Sequence, residues 1–126
     1  HLVNDIWGLR ADPDMAPLLS ARGVPAVLMS NLRGQPRRDP LSDVLRQLSG
    51  SLDLALGAGI TWERIILDPG FGFGLRGEEN LRVMARLGEL RALGRPLLVG
   101  CTRVLPVAVA ESRRWRVHSG IRPWRA

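Results

Sequence analysis

Residues 65–74 have the sequence Ile-Ile-Leu-Asp-Pro-Gly-Phe-Gly-Phe-Gly, in which an apolar run ends at a carboxylate and a glycine-rich loop. The β-branched and apolar residues over 64–68 predict a strand that is buried on both faces. Pro69 and the glycines after it predict a loop over 69–77, because proline and glycine break strand pairing. A buried strand that leads through such a loop into a helical pattern is typical of α/β proteins.

The same alternation extends to both sides of this stretch. Apolar runs over 1–6, 24–29 and 97–101 predict three further strands. Three helices are predicted between the strands, each from a start signal or first-turn acids to a terminal glycine. They run from Asp12-Pro13-Asp14 to Gly23, from Asp39-Pro40 to Gly57 and Gly59, and over 78–93 with Gly94 closing the last. Each helix has a predicted buried face. In the first helix it is Met15, Leu18 and Leu19; in the second it is Leu41, Val44, Leu45, Leu48, Leu52, Ala55 and Leu56; and in the third it is Leu81, Met84, Leu87 and Leu90.

This order predicts a parallel sheet covered by helices. Right-handed crossovers point every strand the same way, so all strand ends open at one rim, where α/β proteins carry their chemistry. Four separate segments then deliver polar and aromatic side chains to that rim. They are Asn4 and Asp5, Met29 to Asn31, Asp68 to Phe73, and Thr102 to Arg103.

Composition and charge exclude several classes of protein. All 18 basic residues are Arg; residues 1–100 hold 12 of them against 11 acids, and residues 101–126 hold 6 against Glu111 alone. The nearly neutral body argues against a nucleic-acid groove. One Cys and two His exclude a disulfide framework and a Cys- or His-rich metal cluster. No apolar stretch approaches the ~20 residues of a membrane span. The chain begins at His1 inside a predicted strand, so we expect a piece of a larger domain.

Two interpretations of Asp68 remain open from the residues alone. Asp-Pro-Gly is a turn signal, in which the carboxylate bonds the backbone N–H groups that follow it. A carboxylate at a sheet rim can also accept two parallel N–H bonds from a flat heterocycle. Gly72 to Gly77 matches the dinucleotide pattern G-x-G-x-x-G, but three residues, Pro69, Gly70 and Phe71, separate it from the strand, and no acid ends the next strand, which disfavours that site.

The other rim residues also carry two interpretations each. Asn4 either ties down a loop or bonds a ligand, and Met29 either packs in the core or forms the floor for a flat ring. Phe71 is predicted to pack in the core, whereas Phe73, between two glycines, is predicted to cover a ligand or a neighbouring loop. Arg33, like the basic residues 37 and 38, could hold an anion, but a solvated loop is the favoured interpretation.

Five segments together resemble the dihydropteroate synthase family. They are residues 3–6, 27–29, 65–74, 80–81 and 96–103, and the run Leu-Asp-Pro-Gly-Phe-Gly-Phe-Gly is the most specific of them. The resemblance implies a partial (β/α)8 barrel of which this chain supplies strands four to seven. It implies one pterin-binding domain over 1–103, followed by a divergent basic tail over 104–126 that we expect to be poorly ordered.

The resemblance also implies an activity and its partners. The family condenses 6-hydroxymethyl-7,8-dihydropterin diphosphate with p-aminobenzoate in folate biosynthesis, in the cytoplasm, as a homodimer that uses Mg²⁺. Asn4 and Asp68 would bond the amino-pyrimidinone edge of the pterin, and Met29 and Phe73 would pack along its ring. Arg103 would stand beside the diphosphate and the aminobenzoate. The Mg²⁺ ligand would lie outside this chain.

The chain departs from the family pattern at several positions. Val104 and Leu75 stand where the family has Lys, Ser30 stands where it has His, and its first three strands are missing, so we expect this chain alone to be inactive. Arg116-Val117-His118-Ser119 resembles a later Arg-Val-His-Asp block, which implies a diphosphate site at Arg116 and His118. Two alternatives remain: the pterin-binding domain of a corrinoid-dependent methyltransferase, which Phe-Gly-Phe-Gly disfavours, and a non-catalytic pterin-binding paralogue.

Overall fold

Three parallel strands alternate with helices along the chain. A computed structural model describes residues 1–36 and 38–100. In chain order its elements are β1 (Val3–Asp5), α1 (Met15–Arg22), β2 (Ala26–Met29), α2 (Pro40–Gly57), a 3-10 turn (Trp62–Arg64), β3 (Ile65–Asp68), α3 (Gly77–Ala85) and a 3-10 segment (Leu87–Leu93). The predicted β-α alternation is therefore present, and the predicted strands are shorter than their apolar runs.

The sheet has the strand order β1-β2-β3, and both pairings are parallel. In its register Asn4 lies opposite Val27, and Met29 lies opposite Asp68. Because side chains alternate between the two faces of a strand, Asn4, Met29 and Asp68 share one face. The other face, with Leu28 and Leu67, packs against the helices and forms the hydrophobic core.

The predicted fourth strand is only partly present. Leu97 forms an isolated parallel bridge with Leu67, supported by hydrogen bonds from Leu67 N to Pro96 O (2.9 Å) and from Leu98 N to Leu67 O (2.8 Å). Leu98 and Val99 are 40% and 41% exposed. With its apolar side chains uncovered by the described residues, this segment does not form a regular strand beyond the bridge. Cys101, the last residue of the prediction, lies outside the described residues.

The helix α2 matches its prediction closely. The Asp39 side chain accepts a hydrogen bond from Ser42 N at 3.0 Å and Pro40 occupies the first turn, an arrangement worth about 1 kcal/mol of stability. The predicted face is buried except at two positions. Leu45 is only partly buried, and Leu56, predicted to be buried, is 43% exposed because it lies in the last turn, at the edge of the contact with the sheet.

The helix α1 starts later than predicted. Asp12 was expected to cap it and Pro13 to occupy its first turn, but the helix begins at Met15. The Asp12 carboxylate instead accepts from Asp14 N at 2.9 Å, which uses the side chain in a turn before the helix. Gly23 ends the helix in a left-handed conformation, as predicted. Of the predicted buried face, Leu18 is 50% exposed.

The predicted helix over 78–93 was wrong in extent, and its predicted buried face was only partly right, because Leu90 is fully buried and Leu87 is partly buried against the core. The α-helix ends at Ala85 and a 3-10 segment continues to Leu93. Leu81 and Met84, predicted to be buried, are 49% and 38% exposed. Asn80 and Val83 are buried in their place, and the Asn80 side chain is bonded to the glycine-rich loop. Gly94 closes the segment in a left-handed conformation, as predicted.

Among the residues that the structure describes, no helix is long enough and apolar enough to cross a bilayer.

Candidate functional site

A cavity of about 710 Å³ lies at the carboxyl ends of the three strands. Its size falls within the range of about 300–1,000 Å³ that is usual for small-molecule sites. Four of the residues predicted from the sequence, Asn4, Met29, Asp68 and Phe73, line it together. The rest of the lining comes mainly from the glycine-rich loop after β3 and from α3. One face of the sheet and one loop therefore form the walls.

Asp68 provides a buried carboxylate in this cavity. Its Oδ1 accepts a hydrogen bond from Gly70 N at 2.8 Å, so the turn interpretation of Asp-Pro-Gly is correct. No described residue donates to Oδ2, and each carboxylate oxygen offers two acceptor positions. The turn therefore leaves acceptor capacity for a ligand. Burial raises the pKa of the Asp68 carboxyl, and the hydrogen bond from Gly70 offsets part of that rise.

The glycine-rich loop is held against the end of β2 by contacts that only glycine allows. Gly70 has φ +74°, and a Cβ there would overlap the carbonyl oxygen of Ser30. Gly74 has φ +102°, and a Cβ there would overlap the backbone of Leu32 and Arg33. Leu32 N also donates to Phe73 O at 2.9 Å. The loop is thus fixed by backbone contacts with the neighbouring strand end.

The two phenylalanines of the loop take the predicted separate positions. Phe71 is 5% exposed and belongs to the hydrophobic core, which confirms its prediction. Phe73 is half-buried and lines the cavity. The guanidinium of Arg33 lies over the Phe73 ring, 4.6 Å from its centroid. The prediction that Arg33 belongs to a solvated loop was therefore incomplete, because the side chain is exposed but has a definite partner.

Asn80 lines the cavity, but it was not predicted as a site residue from the sequence. It is 3% exposed; its Oδ1 accepts from Gly72 N at 3.1 Å, and its Nδ2 donates to Leu75 O at 3.1 Å and Arg76 O at 2.8 Å. These bonds join the glycine-rich loop to the first turn of α3. An amide in the first turn of a helix that directly follows a glycine-rich loop is the signal that could have identified it.

The remaining rim residues differ in their surroundings. Asn4 is exposed on β1, and Met29 is 3% exposed beneath the cavity. Asp5 accepts from Trp7 N at 2.9 Å and Leu9 N at 2.7 Å, so it orders the loop after β1. Asn31, expected at the rim, does not line the cavity. It donates to Ile6 O at 3.2 Å and is 3% exposed, so it ties two strand ends together.

Several predicted site residues lie outside the described residues. Arg103, Val104, Arg116 and His118 fall in 101–126. Within residues 1–36 and 38–100, no three His, Cys, Asp or Glu side chains come together in a way that could hold a metal ion.

Comparison with known proteins places this cavity in a family. A sequence model described as "Pterin binding enzyme" matches residues 1–118. The chain belongs to this family. Relatives within it include dihydropteroate synthases from Clostridium beijerinckii, 39% identical over 87% of this chain and 41% of that protein, and from Bacillus subtilis, 41% identical over 81% of this chain and 36% of that protein.

Solved structures of pterin-binding enzymes share the fold of this chain. A dihydropteroate synthase from Clostridium difficile, crystallised in the presence of pteroic acid, is 38% identical over 81% of this chain and 39% of its own, with a TM-score of 0.77. The enzyme from Thermus thermophilus, in complex with 6HMPPP, is 40% identical over 79% of this chain and 41% of its own, with a TM-score of 0.71. The partial barrel is thereby confirmed, and the chain spans about two fifths of the length of these relatives.

Proposed function

We propose that this chain forms the pterin side of a dihydropteroate synthase. The reaction would join 6-hydroxymethyl-7,8-dihydropterin diphosphate to p-aminobenzoate and release diphosphate. One observation carries the proposal: Asn4, Met29, Asp68 and Phe73 line a single cavity. The similarity to synthases crystallised with pteroic acid or 6HMPPP supports the same substrate class.

Asp68 would select the pterin through its amino-pyrimidinone edge. That edge presents adjacent N–H donors, which match the acceptor positions of a carboxylate. Asn4, on the same face of the sheet, would add an amide contact. An analogue without these donors would leave the buried carboxylate unpaired, and such a loss is strongly unfavourable.

Met29 and Phe73 would sandwich or flank the flat ring. Met29 is buried beneath the cavity and offers an adaptable apolar floor, and Phe73 offers an aromatic wall. Holding the ring in this way directs the exocyclic CH2 outward, toward the amine that attacks it. The C–N bond forms as the C–O bond to diphosphate breaks, so the protein contributes position and electrostatics rather than a covalent intermediate.

The diphosphate and p-aminobenzoate would contact residues beyond those described. We propose Arg103 beside both groups, and Arg116 and His118 as a diphosphate site. The Mg²⁺ that the resemblance implies would be held by a residue outside this chain. A homodimer remains a prediction.

One observation favours a second candidate, a pterin-binding protein without synthase activity. Leu75 occupies a position where the resemblance leads us to expect Lys, lines the cavity, and is 6% exposed. This side chain cannot supply a positive charge to a pterin or a diphosphate. Val104, at the other expected Lys position, adds to the same argument.

Two measurements separate these candidates. With the full-length protein, calorimetric titration with 6-hydroxymethylpterin diphosphate tests binding, and release of diphosphate on addition of p-aminobenzoate to the reduced substrate tests the reaction. Binding with turnover supports the synthase, and binding without turnover supports the second candidate. Absence of pterin binding would contradict both. Asn4→Ala is the first variant to compare, because Asn4 is exposed and its loss should weaken binding without destabilising the fold.

A further inference from the structure

The loop after β2 and the glycine-rich loop after β3 are joined into one unit at the mouth of the cavity by backbone contacts. Leu32 N donates to Phe73 O at 2.9 Å, and Gly74 packs directly on the backbone of Leu32 and Arg33. Arg33 N in turn donates to the side chain of Asn31 at 3.2 Å. Asn31 is buried, and its side chain also donates to Ile6 O. Hydrogen bonds through Asn31 therefore connect the backbone at Arg33 to the end of β1 as well.

The Phe73 side chain gains no packing from its chain neighbours. Its chain neighbours are Gly72 and Gly74, which offer no side chain to pack against it. The guanidinium of Arg33 lies 4.6 Å from the ring centroid, within the distance for a cation–π contact. Arg33 is not among the residues that line the cavity, so it contacts the ring from outside.

We propose that Arg33 is a positioning residue that holds the Phe73 ring in place for the pterin. The inference rests on the proposed function and deepens it, because it assigns to an exposed arginine outside the cavity an effect on affinity for the pterin ring. Arg33 acts through the ring and does not touch the ligand. Its contribution should therefore depend on Phe73 and be independent of the diphosphate.

The test is calorimetric titration of the full-length protein with two probes, 6-hydroxymethylpterin and its diphosphate. Arg33→Gln should weaken binding of both probes by the same factor, about 2- to 5-fold, which is the size expected for a cation–π contact at an exposed site. Arg33→Lys retains a cation and should restore most of the affinity. Arg91→Gln is the matched control, since it removes one exposed arginine that does not line the cavity, and it should leave both affinities unchanged.

A double-mutant cycle with Phe73→Leu completes the test. In the Phe73→Leu background, Arg33→Gln should have no further effect on either probe. An equal effect in that background would overturn the inference, and so would unchanged binding by Arg33→Gln. Weakening of the diphosphate probe alone would also overturn it, because that result means direct contact between Arg33 and the anion.

The failure of the inference and that of the proposed function are distinguishable. If the unmodified protein binds neither probe, the proposed function fails and the inference falls with it. If the unmodified protein binds both probes and Arg33→Gln matches it, the inference alone fails. Unfolding midpoints in urea for all variants separate changes in affinity from changes in the folded fraction.

Discussion

Replacement of Asp68 by Asn should remove pterin affinity while leaving the fold at least as stable. An Asn side chain has nearly the same shape, and its carbonyl can still accept from Gly70 N, the bond that Asp68 makes at 2.8 Å. Its NH2 group then faces the cavity where the carboxylate oxygen was. A donor on the protein would meet the N–H donors of the pterin, and the charge-assisted bonds would be lost.

The size of the effect follows from the number and kind of bonds lost. A hydrogen bond to a charged group contributes about 1.5–3 kcal/mol, and a buried donor left without a partner is unfavourable by a further 1–3 kcal/mol. We therefore expect a loss of at least about 3 kcal/mol, which corresponds to about 100-fold in Kd. Calorimetric titration with 6-hydroxymethylpterin measures it directly.

The effect of Asp68→Asn on stability should differ in sign from its effect on binding. Burial raises the pKa of Asp68 in the folded protein. A group with a raised folded pKa contributes stability that is fully present below its unfolded pKa and is lost as pH rises through the folded pKa. The Asn variant lacks this loss, so its free energy of unfolding at neutral pH should equal or exceed that of the unmodified protein.

Asp53→Asn provides the matched control for charge. Asp53 is exposed on α2 and does not line the cavity, so this variant should change neither pterin binding nor stability appreciably. Asp68→Asn binding within twofold of the unmodified protein would refute the reasoning, because the carboxylate would then have no part in pterin recognition. A large loss of stability in Asp68→Asn would refute the proposed separation of binding from folding.

Three further predictions follow from the same contacts. The affinity for 6-hydroxymethylpterin should fall about tenfold per pH unit below the raised pKa of Asp68, and this probe has no diphosphate whose titration would interfere. Asp68→Asn should remove this pH dependence. A pH-independent affinity in the unmodified protein would contradict the prediction. Asn80→Ala should destabilise the protein by about 3 kcal/mol in urea unfolding, because three hydrogen bonds to the glycine-rich loop are lost. A change below about 0.5 kcal/mol would show that the loop does not depend on the Asn80 side chain. Ser30→Ala and Ser51→Ala should have different effects on the free energy of unfolding. The buried Ser30 hydroxyl has no partner among the described residues, so its removal should stabilise or leave stability unchanged. The Ser51 hydroxyl accepts from Arg10 Nη1 at 2.7 Å, and its single proton can be donated to Gly8 O (3.0 Å) or to Gln47 O (3.1 Å). Ser51→Ala should therefore lower the free energy of unfolding by about 1–2 kcal/mol, and equal effects of the two variants would contradict the assignment.

Local chemistry accounts for the parts of the fold that the sequence predicts well. The Asp39 cap and the terminal glycines Gly23 and Gly94 act within a few residues of their own positions, so they identify the ends of elements without tertiary information. The placement of Asn4 and Asp68 follows from strand direction alone, because parallel strands end at one rim.

Contacts between distant segments account for what the sequence does not predict. The orientation of α3 depends on Asn80 bonding the glycine-rich loop, so the apolar periodicity of Leu81 and Met84 pointed to the wrong face. The contact of Arg33 with Phe73 depends on two loops meeting across the end of the sheet, and neither sequence segment shows that meeting by itself.

A crystal structure of the full-length protein with bound 6-hydroxymethylpterin diphosphate tests the central claim most directly. The account predicts that the amino-pyrimidinone edge lies within hydrogen-bond distance of the Asp68 carboxylate and the Asn4 amide, with the ring between Met29 and Phe73. A pterin bound outside this cavity, or bound inside it with that edge turned away from Asp68, would contradict the account.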